Sequence, residues 1–316
     1  ASWTNNSSSP LCNRATQQTL APGSTVKPIS AIAGLEEGVI DADTYITDYV
    51  EYTKVVPHAN CWNSAGHGTI NVEQAIEYSC NYFFYEVGYR LGSKDNTTEL
   101  NDSTGLALLA KYAKMFGLDS VSGLELPETT PRISDESVVR SAIGQATHNY
   151  TAAELARYVT AIANSGNLYQ LSVLDKITDS EGNVLEKNEP KLTNKIELKQ
   201  RTRDMVHTGM YKVCNESSYR SQMGGLKVTL AGKSGTAQVS EKLPNHGLFI
   251  GYAPYENPEI AATLIIPHGH GSSNVLDLYA DLMCYYFGVQ EKNASDDISG
   301  SATRPAHLPD QNIQAD

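Results

Sequence analysis

Three strand-like runs stand close together near the end of this chain: Val228 to Val239, His246 to Ala253 and Ile260 to Pro267. The last two are separated by Pro254-Tyr-Glu-Asn-Pro258, a hairpin turn signal. An amphipathic helix from Val275 to Phe287 closes the segment. Upstream of Lys227 the patterning is of another kind. Ser24 to Glu37 has helical spacing with Gly38 as its stop, and Pro28 falls in the first turn, where a missing N–H costs little. Residues 41–68 are irregular. Asn71 opens a helix over Val72 to Tyr78, and another follows from about Tyr82 to Leu91. Leu106 to Phe116 forms a helix ending at Gly117. Thr151 and Glu154 make a capping box for a helix that Asn164-Ser165-Gly166 terminates. Lys195 to Val213 is again helical. Residues 1–20 read as loop, and residues 290–316, polar and aperiodic with Pro305 and Pro309, as a disordered tail.

The 316 residues carry a net charge of −12, which argues against a nucleic-acid partner, since phosphate binding needs clustered Lys and Arg. No apolar run reaches the roughly 18–20 residues that span a bilayer, and no signal peptide is visible; the chain reads as a piece of something longer. Cysteines stand at 12, 61, 80, 214 and 284 without Cys-x-x-Cys spacing, so their arrangement along the sequence supports neither zinc nor a disulfide framework. Cys61 and Cys80 could pair in an oxidising compartment. His268-Gly269-His270 fits a strand-end loop better than a metal pair.

Chemistry concentrates in two short motifs. Ser24 and Lys27 form the only Ser-x-x-Lys, and Lys233-Ser234-Gly235-Thr236 contains the only Lys-[Ser/Thr]-Gly. Ser24 and Lys27, three apart at a helix start, share a face. The amine can take the serine proton only if burial or a second cation, such as Lys233, depresses its pKa. A helix N-terminus adds N–H groups near a developing oxyanion. On a strand, Lys233 and Gly235 face one way and Ser234 and Thr236 the other, and Gly235 leaves room for a substrate backbone lying along the strand. Ser-x-Asn suits proton relay and amide recognition, and occurs at Ser79-Cys80-Asn81, Ser165-Gly166-Asn167 and Ser272-Ser273-Asn274. The first, in a short connection between two helices, is the one placed to present its side chains to a cleft.

Ser-x-x-Lys, Ser-x-Asn and Lys-Ser-Gly-Thr in this order resemble the active-site motifs of penicillin-binding proteins and serine β-lactamases. Flanking segments narrow the resemblance to class B, monofunctional penicillin-binding proteins: Asn13-Arg14-Ala15, Gly66-His67-Gly68, Ile143-Gly144-Gln145 and Phe249-Ile250-Gly251-Tyr252-Ala253-Pro254. It spans roughly residues 13 to 287. The resemblance implies an α+β fold, an antiparallel sheet flanked by helices beside an all-helical lobe, here roughly 39–165 of a 1–289 transpeptidase domain. The family's first two sheet strands precede the Ser-x-x-Lys helix, and residues 1–23 do not read as strands, so three central strands are expected in this chain. It also implies peptidoglycan D,D-transpeptidation with Ser24 as nucleophile, Lys27 as base and Ser79 as proton relay. Asn81, Lys233, Ser234, Gly235 and Thr236 would bind substrate, and the backbone N–H groups of Ser24 and Thr236 would hold the oxyanion. No metal or cofactor is implied. Stem peptides, β-lactams and other cell-wall synthesis proteins are the partners implied, at the extracytoplasmic face of a bacterial membrane. A β-lactamase is disfavoured by the absence of a Glu-x-Glu-Leu-Asn segment that would poise a water. A D,D-carboxypeptidase or a β-lactam sensor would keep the same three motifs.

Overall fold

The structure, a computed structural model, describes residues 11–94, 99–224, 226–238 and 243–289. The tail expected at 290–316 and the first ten residues of the expected N-terminal loop lie outside the described residues. The main sheet consists of β1 (Ala231–Ala237), β2 (His246–Ala253) and β3 (Ile260–Ile266), in the order β3-β2-β1 with both pairings antiparallel. Three strands were expected, and among the described residues no other strand joins this sheet. β2 is central and buried along its whole length, while β3, at the edge, is half-buried throughout.

The period-2 alternation of β2 is read on both faces. Gly247, Phe249 and Gly251 meet the closing helix Ser273–Phe287; the Phe249 and Tyr279 rings lie 4.5 Å apart between centroids. A Cβ on Gly251 would come within 2.5 Å of the Tyr279 hydroxyl oxygen, so glycine lets the helix settle on the strand. Tyr252 points to the opposite face, where its hydroxyl lies 3.0 Å from His207 Nδ1. That histidine belongs to the helix Gln200–Asn215, which covers β1.

The other long helices are α1 (Lys27–Glu36), α2 (Val72–Glu77), α3 (Asn81–Gly92), α4 (Asp102–Met115) and α5 (Ala152–Ala163); in the same chain order Gln200–Asn215 is α6 and Ser273–Phe287 is α7. α1 is buried from Lys27 through Leu35, because α3, α4 and α6 surround it. A helix enclosed on every side has little need of amphipathicity. The expected caps are present: Asn71 opens α2, where Gln74 completes a capping box, Thr151 and Glu154 make the capping box of α5, and left-handed residues Ser165 and Gly166 follow α5. α6 begins at Gln200 rather than Lys195, because Leu192–Lys195 pairs with Asn167–Tyr169 as a ribbon. Residues 41–68 also hold order that the sequence did not disclose. Ile46–Asp48 pairs with Gly68–Ile70, and Glu51–Tyr52 with Ala59–Asn60.

Candidate active site

Ser24 stands in a 3-10 turn, Gly23–Val26, that leads into α1; it is not in the α-helix itself, as its spacing suggested. The tighter turn strengthens the pairing, since residues i and i+3 eclipse when there are three residues per turn. The turn is pinched between two backbones. Gly23 has φ +52, and its N–H donates to the Gly144 carbonyl at 3.1 Å. A Cβ on Gly23 would lie 2.5 Å from the Thr236 carbonyl oxygen, and one on Gly144 (φ +78) 1.9 Å from the Gly23 carbonyl oxygen. Glycine at both positions therefore brings the nucleophile turn against β1 on one side and the 143–145 segment on the other.

Lys27 is wholly buried. Its Nζ donates to the Ser79 carbonyl at 2.7 Å, to Asn81 Oδ1 at 2.7 Å and to Ser79 Oγ at 3.2 Å, and lies 5.6 Å from the Phe84 ring centroid. Burial lowers its pKa from 10.5 to about 7, against an upward pull from the neighbouring Cys80 and Cys61 thiols. Of the two causes considered from sequence, burial is the one that acts on Lys27. Repulsion between the lysines is felt at Lys233, whose pKa is pushed far down by burial first and by the Lys27 charge second. Lys233 Nζ donates to the Ser234 carbonyl at 3.0 Å and lies 3.5 Å from Ser234 Oγ.

Ser79 is held at φ +54, a left-handed conformation that costs a non-glycine residue about 1–2 kcal/mol. Two donors grip its carbonyl, Lys27 Nζ and Trp62 Nε1, the latter at 3.1 Å. Two residues on, Asn81 opens α3. With Oδ1 occupied by Lys27 and the side-chain amide also reaching the Tyr85 hydroxyl, donation to a ligand falls to the remaining amide N–H.

These groups meet at a cleft of about 680 Å³ lined by Ser24, Ser79, Asn81, Ser234 and Thr236, with Ile143 and Gln145 on one wall and Trp62 and Tyr219 among its aromatic surfaces. The alternation expected along β1 holds. Ser234 and Thr236 line the cleft; Lys233 is not among the lining residues, and its amine sits behind them against Ser234. Gly235 is placed differently from expectation. A Cβ there would meet Thr25 Cγ2 at 2.7 Å and the Pro22 carbonyl oxygen at 2.9 Å, so the space it leaves is filled by the nucleophile turn, not held open for substrate. Of the three Ser-x-Asn segments, Ser79-Cys80-Asn81 is the one with both polar residues at the cleft. Ser272 also reaches it, its N–H donating to Thr236 Oγ1 at 3.3 Å, but the Asn274 amide turns to the Gly269 carbonyl. Ser165 lines other cavities.

Trp62 and Tyr219 lie in stretches that carried no sequence motif. Nor did spacing foresee that Asp48, Cys61, His67 and Cys80 converge, with His67 itself lining the cleft beside Ser79. Cys61 and Cys80 are adjacent free thiols, their sulfurs 3.9 Å apart. His268 and His270 occupy the turn after β3, the first packing on His246.

The family profile described as "Penicillin binding protein transpeptidase domain" matches residues 2–283. The peptidoglycan D,D-transpeptidase MrdA of Haemophilus influenzae is 31% identical over 314 residues, which cover 88% of this chain and 46% of that protein. Among solved structures, the penicillin-binding protein PBP2 of Helicobacter pylori is 25% identical with a TM-score of 0.76, over 91% of this chain and 53% of that one. The same protein solved as a complex with MreC gives 26% identity and a TM-score of 0.73, over 90% and 53%. The chain spans about half the length of the curated relatives it matches first, 46% and 50%.

Proposed function

This chain belongs to the penicillin-binding protein transpeptidase family, and from that premise we propose that it cross-links peptidoglycan stem peptides by D,D-transpeptidation through an acyl-Ser24 intermediate. One observation carries the reading: the Lys27 amine, near neutrality at physiological pH, touches both Ser79 Oγ and Asn81 beside the Ser24 turn. In the proposed reaction Ser24 Oγ attacks the carbonyl carbon of the penultimate D-Ala, and its proton passes to Lys27 Nζ. The oxyanion lies between the N–H groups of Ser24 and Thr236, whose backbones are brought together at Gly23. As the C–N bond breaks, the leaving D-Ala nitrogen takes a proton from Ser79 Oγ, and Lys27 Nζ restores it across 3.2 Å. An acceptor amine then attacks the ester carbonyl, the protons retrace their path, and Ser24 is released.

Asn81 holds the donor amide carbonyl. Ser234 and Thr236 take the terminal carboxylate, and Lys233 supplies positive potential from behind them. Gly235 serves by admitting the nucleophile turn. A β-lactam, as a strained mimic of the donor, acylates Ser24. The complex of the Helicobacter pylori relative with MreC supports a cell-wall synthesis protein as partner. Among the described residues no helix is long and apolar enough to cross a membrane, and the extracytoplasmic location is part of the proposal.

The test is exchange of the terminal D-Ala of a synthetic stem peptide for an added D-amino acid, followed by mass spectrometry. Exchange that is lost in Ser79→Ala but leaves slow penicillin acylation supports the relay. Hydrolysis without exchange would make the chain a carboxypeptidase, and steady turnover of nitrocefin would make it a β-lactamase.

A further inference from the structure

We infer that Glu77 recognises the acceptor: its carboxylate binds the cationic amine of a second stem peptide as that amine approaches acyl-Ser24. The inference rests on the transpeptidase reading and names the class of nucleophile which that reading leaves open.

Glu77 ends α2, two residues before Ser79, and lines the cleft although it is only 7% exposed. Among the described residues its carboxylate makes no hydrogen bond and no ion pair. Lys212 is the one cation that acts on it, and the Lys212 amine lies against Glu73 instead, at 3.4 Å. Burial pushes the Glu77 pKa up; Lys212 pulls it back, and Glu216 pushes it further up. Its place in the last turn of a helix adds to the cost, because that end favours cations. A carboxylate held this way is expensive until something pairs it. It is not among the sealed, unpartnered groups of the interior, and the open space beside it is the cleft.

The charge layout says what pairs it. Among the described residues lining the cleft Glu77 is the only carboxylate, and no Lys or Arg lines it. Positive potential comes from Lys233, behind Ser234 on β1, and that end takes the terminal carboxylate of the donor. Glu77 supplies negative potential from a different element, the end of α2. The acceptor is the cationic reactant, since its free amine is an ammonium at neutral pH. By microscopic reversibility the incoming nitrogen takes the place that the leaving D-Ala nitrogen held, beside Ser79 Oγ. Ser79 is fixed to the end of α2: its N–H donates to the Ile76 carbonyl at 3.3 Å, and the Cys80 N–H to the Ala75 carbonyl at 3.0 Å. Glu77 and the relay hydroxyl therefore keep a set relation. Held as R–NH3+, the acceptor sheds one proton to solvent and attacks the acyl carbon as R–NH2. As the new C–N bond forms and the bond to Ser24 Oγ breaks, a second proton passes through Lys27 to Ser24 Oγ.

For the test, the full chain is acylated with a thioester analogue of the donor stem. The acyl-enzyme is then partitioned between water and an added ammonium-bearing stem, with both products quantified by mass spectrometry. Glu77→Gln should raise the acceptor KM about 10-fold or more, with the smaller change in kcat, and move product toward hydrolysis. Glu77→Asp, which keeps the charge, should recover part of the loss. A merely structural role would slow acylation and transfer together and leave the partition where it was. The unmutated chain supplies an independent arm. A stem whose amine is dimethylated keeps its charge but cannot end as a stable amide, and should inhibit transfer competitively; the N-acetylated stem should not. Inhibition by both stems alike, inhibition by neither, or an unchanged acceptor KM in Glu77→Gln overturns the inference while leaving the transpeptidase reading in place. An unmutated chain that the donor does not acylate, or whose acyl-enzyme only hydrolyses, removes that reading and the inference with it.

Discussion

Replacing Lys27 by methionine is predicted to stabilise the protein while abolishing acylation of Ser24. The amine is wholly buried, and its pKa falls from 10.5 to about 7 on folding. At about 1.36 kcal/mol per pKa unit, burying the charged form costs roughly 5 kcal/mol. The sign follows from the depressed folded value. Between pH 7 and 10.5 the unfolded chain binds the extra proton, so wild-type stability rises with pH across that window, and the penalty is present in full below it. Methionine fills a similar volume without a charge. The lost hydrogen bonds to Ser79 and Asn81 take back about 1 kcal/mol each, softened at Ser79 because Trp62 Nε1 still donates to that carbonyl. A net gain of about 2–3 kcal/mol remains near pH 6.5, a rise in melting temperature of roughly 4–12 °C for a domain of this size. The assay is thermal unfolding of both proteins at several pH values, with fluorescent penicillin labelling alongside. The stability difference should shrink as pH rises to about 9.5, where only ~1.4 kcal/mol of the penalty is left. A pH-independent difference, or Lys27→Met labelled within tenfold of the wild-type rate, would refute the reasoning.

The rate of penicillin acylation should climb with pH and level off above about 7 as Lys27 loses its proton; stopped-flow labelling that is flat from pH 5.5 to 8.5 would remove Lys27 as the base. Gly144→Ala should cost about 2–4 kcal/mol and suppress labelling, because its Cβ would lie 1.9 Å from the Gly23 carbonyl at φ +78; denaturant unfolding and labelling of the folded fraction check both parts. Tyr52→Phe should cost about 1–2 kcal/mol without changing labelling. It removes a buried hydroxyl that donates to Glu86 at 2.8 Å and belongs to a residue that does not line the cleft, while Lys54 and Arg90 still pair that carboxylate.

What the sequence disclosed and what it hid divide along physical lines. Caps, stops and strand runs rest on local rules, so the Asn71 cap, the capping box at Thr151 and all three strands of the sheet were legible. The start of α6 was not, because pairing of 192–195 with 167–169 is a long-range contact that overrides the helical pattern. Ser24, Ser79, Asn81, Ser234 and Thr236 meet at one cleft, with Lys27 against Ser79 and Asn81, and each could be singled out because it sits in a short motif whose order is informative. Gly235 was found with the wrong role, since a glycine's purpose depends on which neighbour fills its space. Trp62 and the Asp48–Cys61–His67–Cys80 cluster were missed for a related reason. Their partners come from separate segments, and spacing rules recognise only groups that are close in sequence.

The central claim, that Ser24 is a nucleophile activated by Lys27, is tested most directly by intact-mass spectrometry after exposure to penicillin. The wild-type chain should gain the mass of one opened β-lactam, localised by peptide mapping to the segment containing Ser24, and Ser24→Ala should gain none. An adduct that persists in Ser24→Ala, or a wild-type chain that stays unmodified while remaining folded, would contradict it.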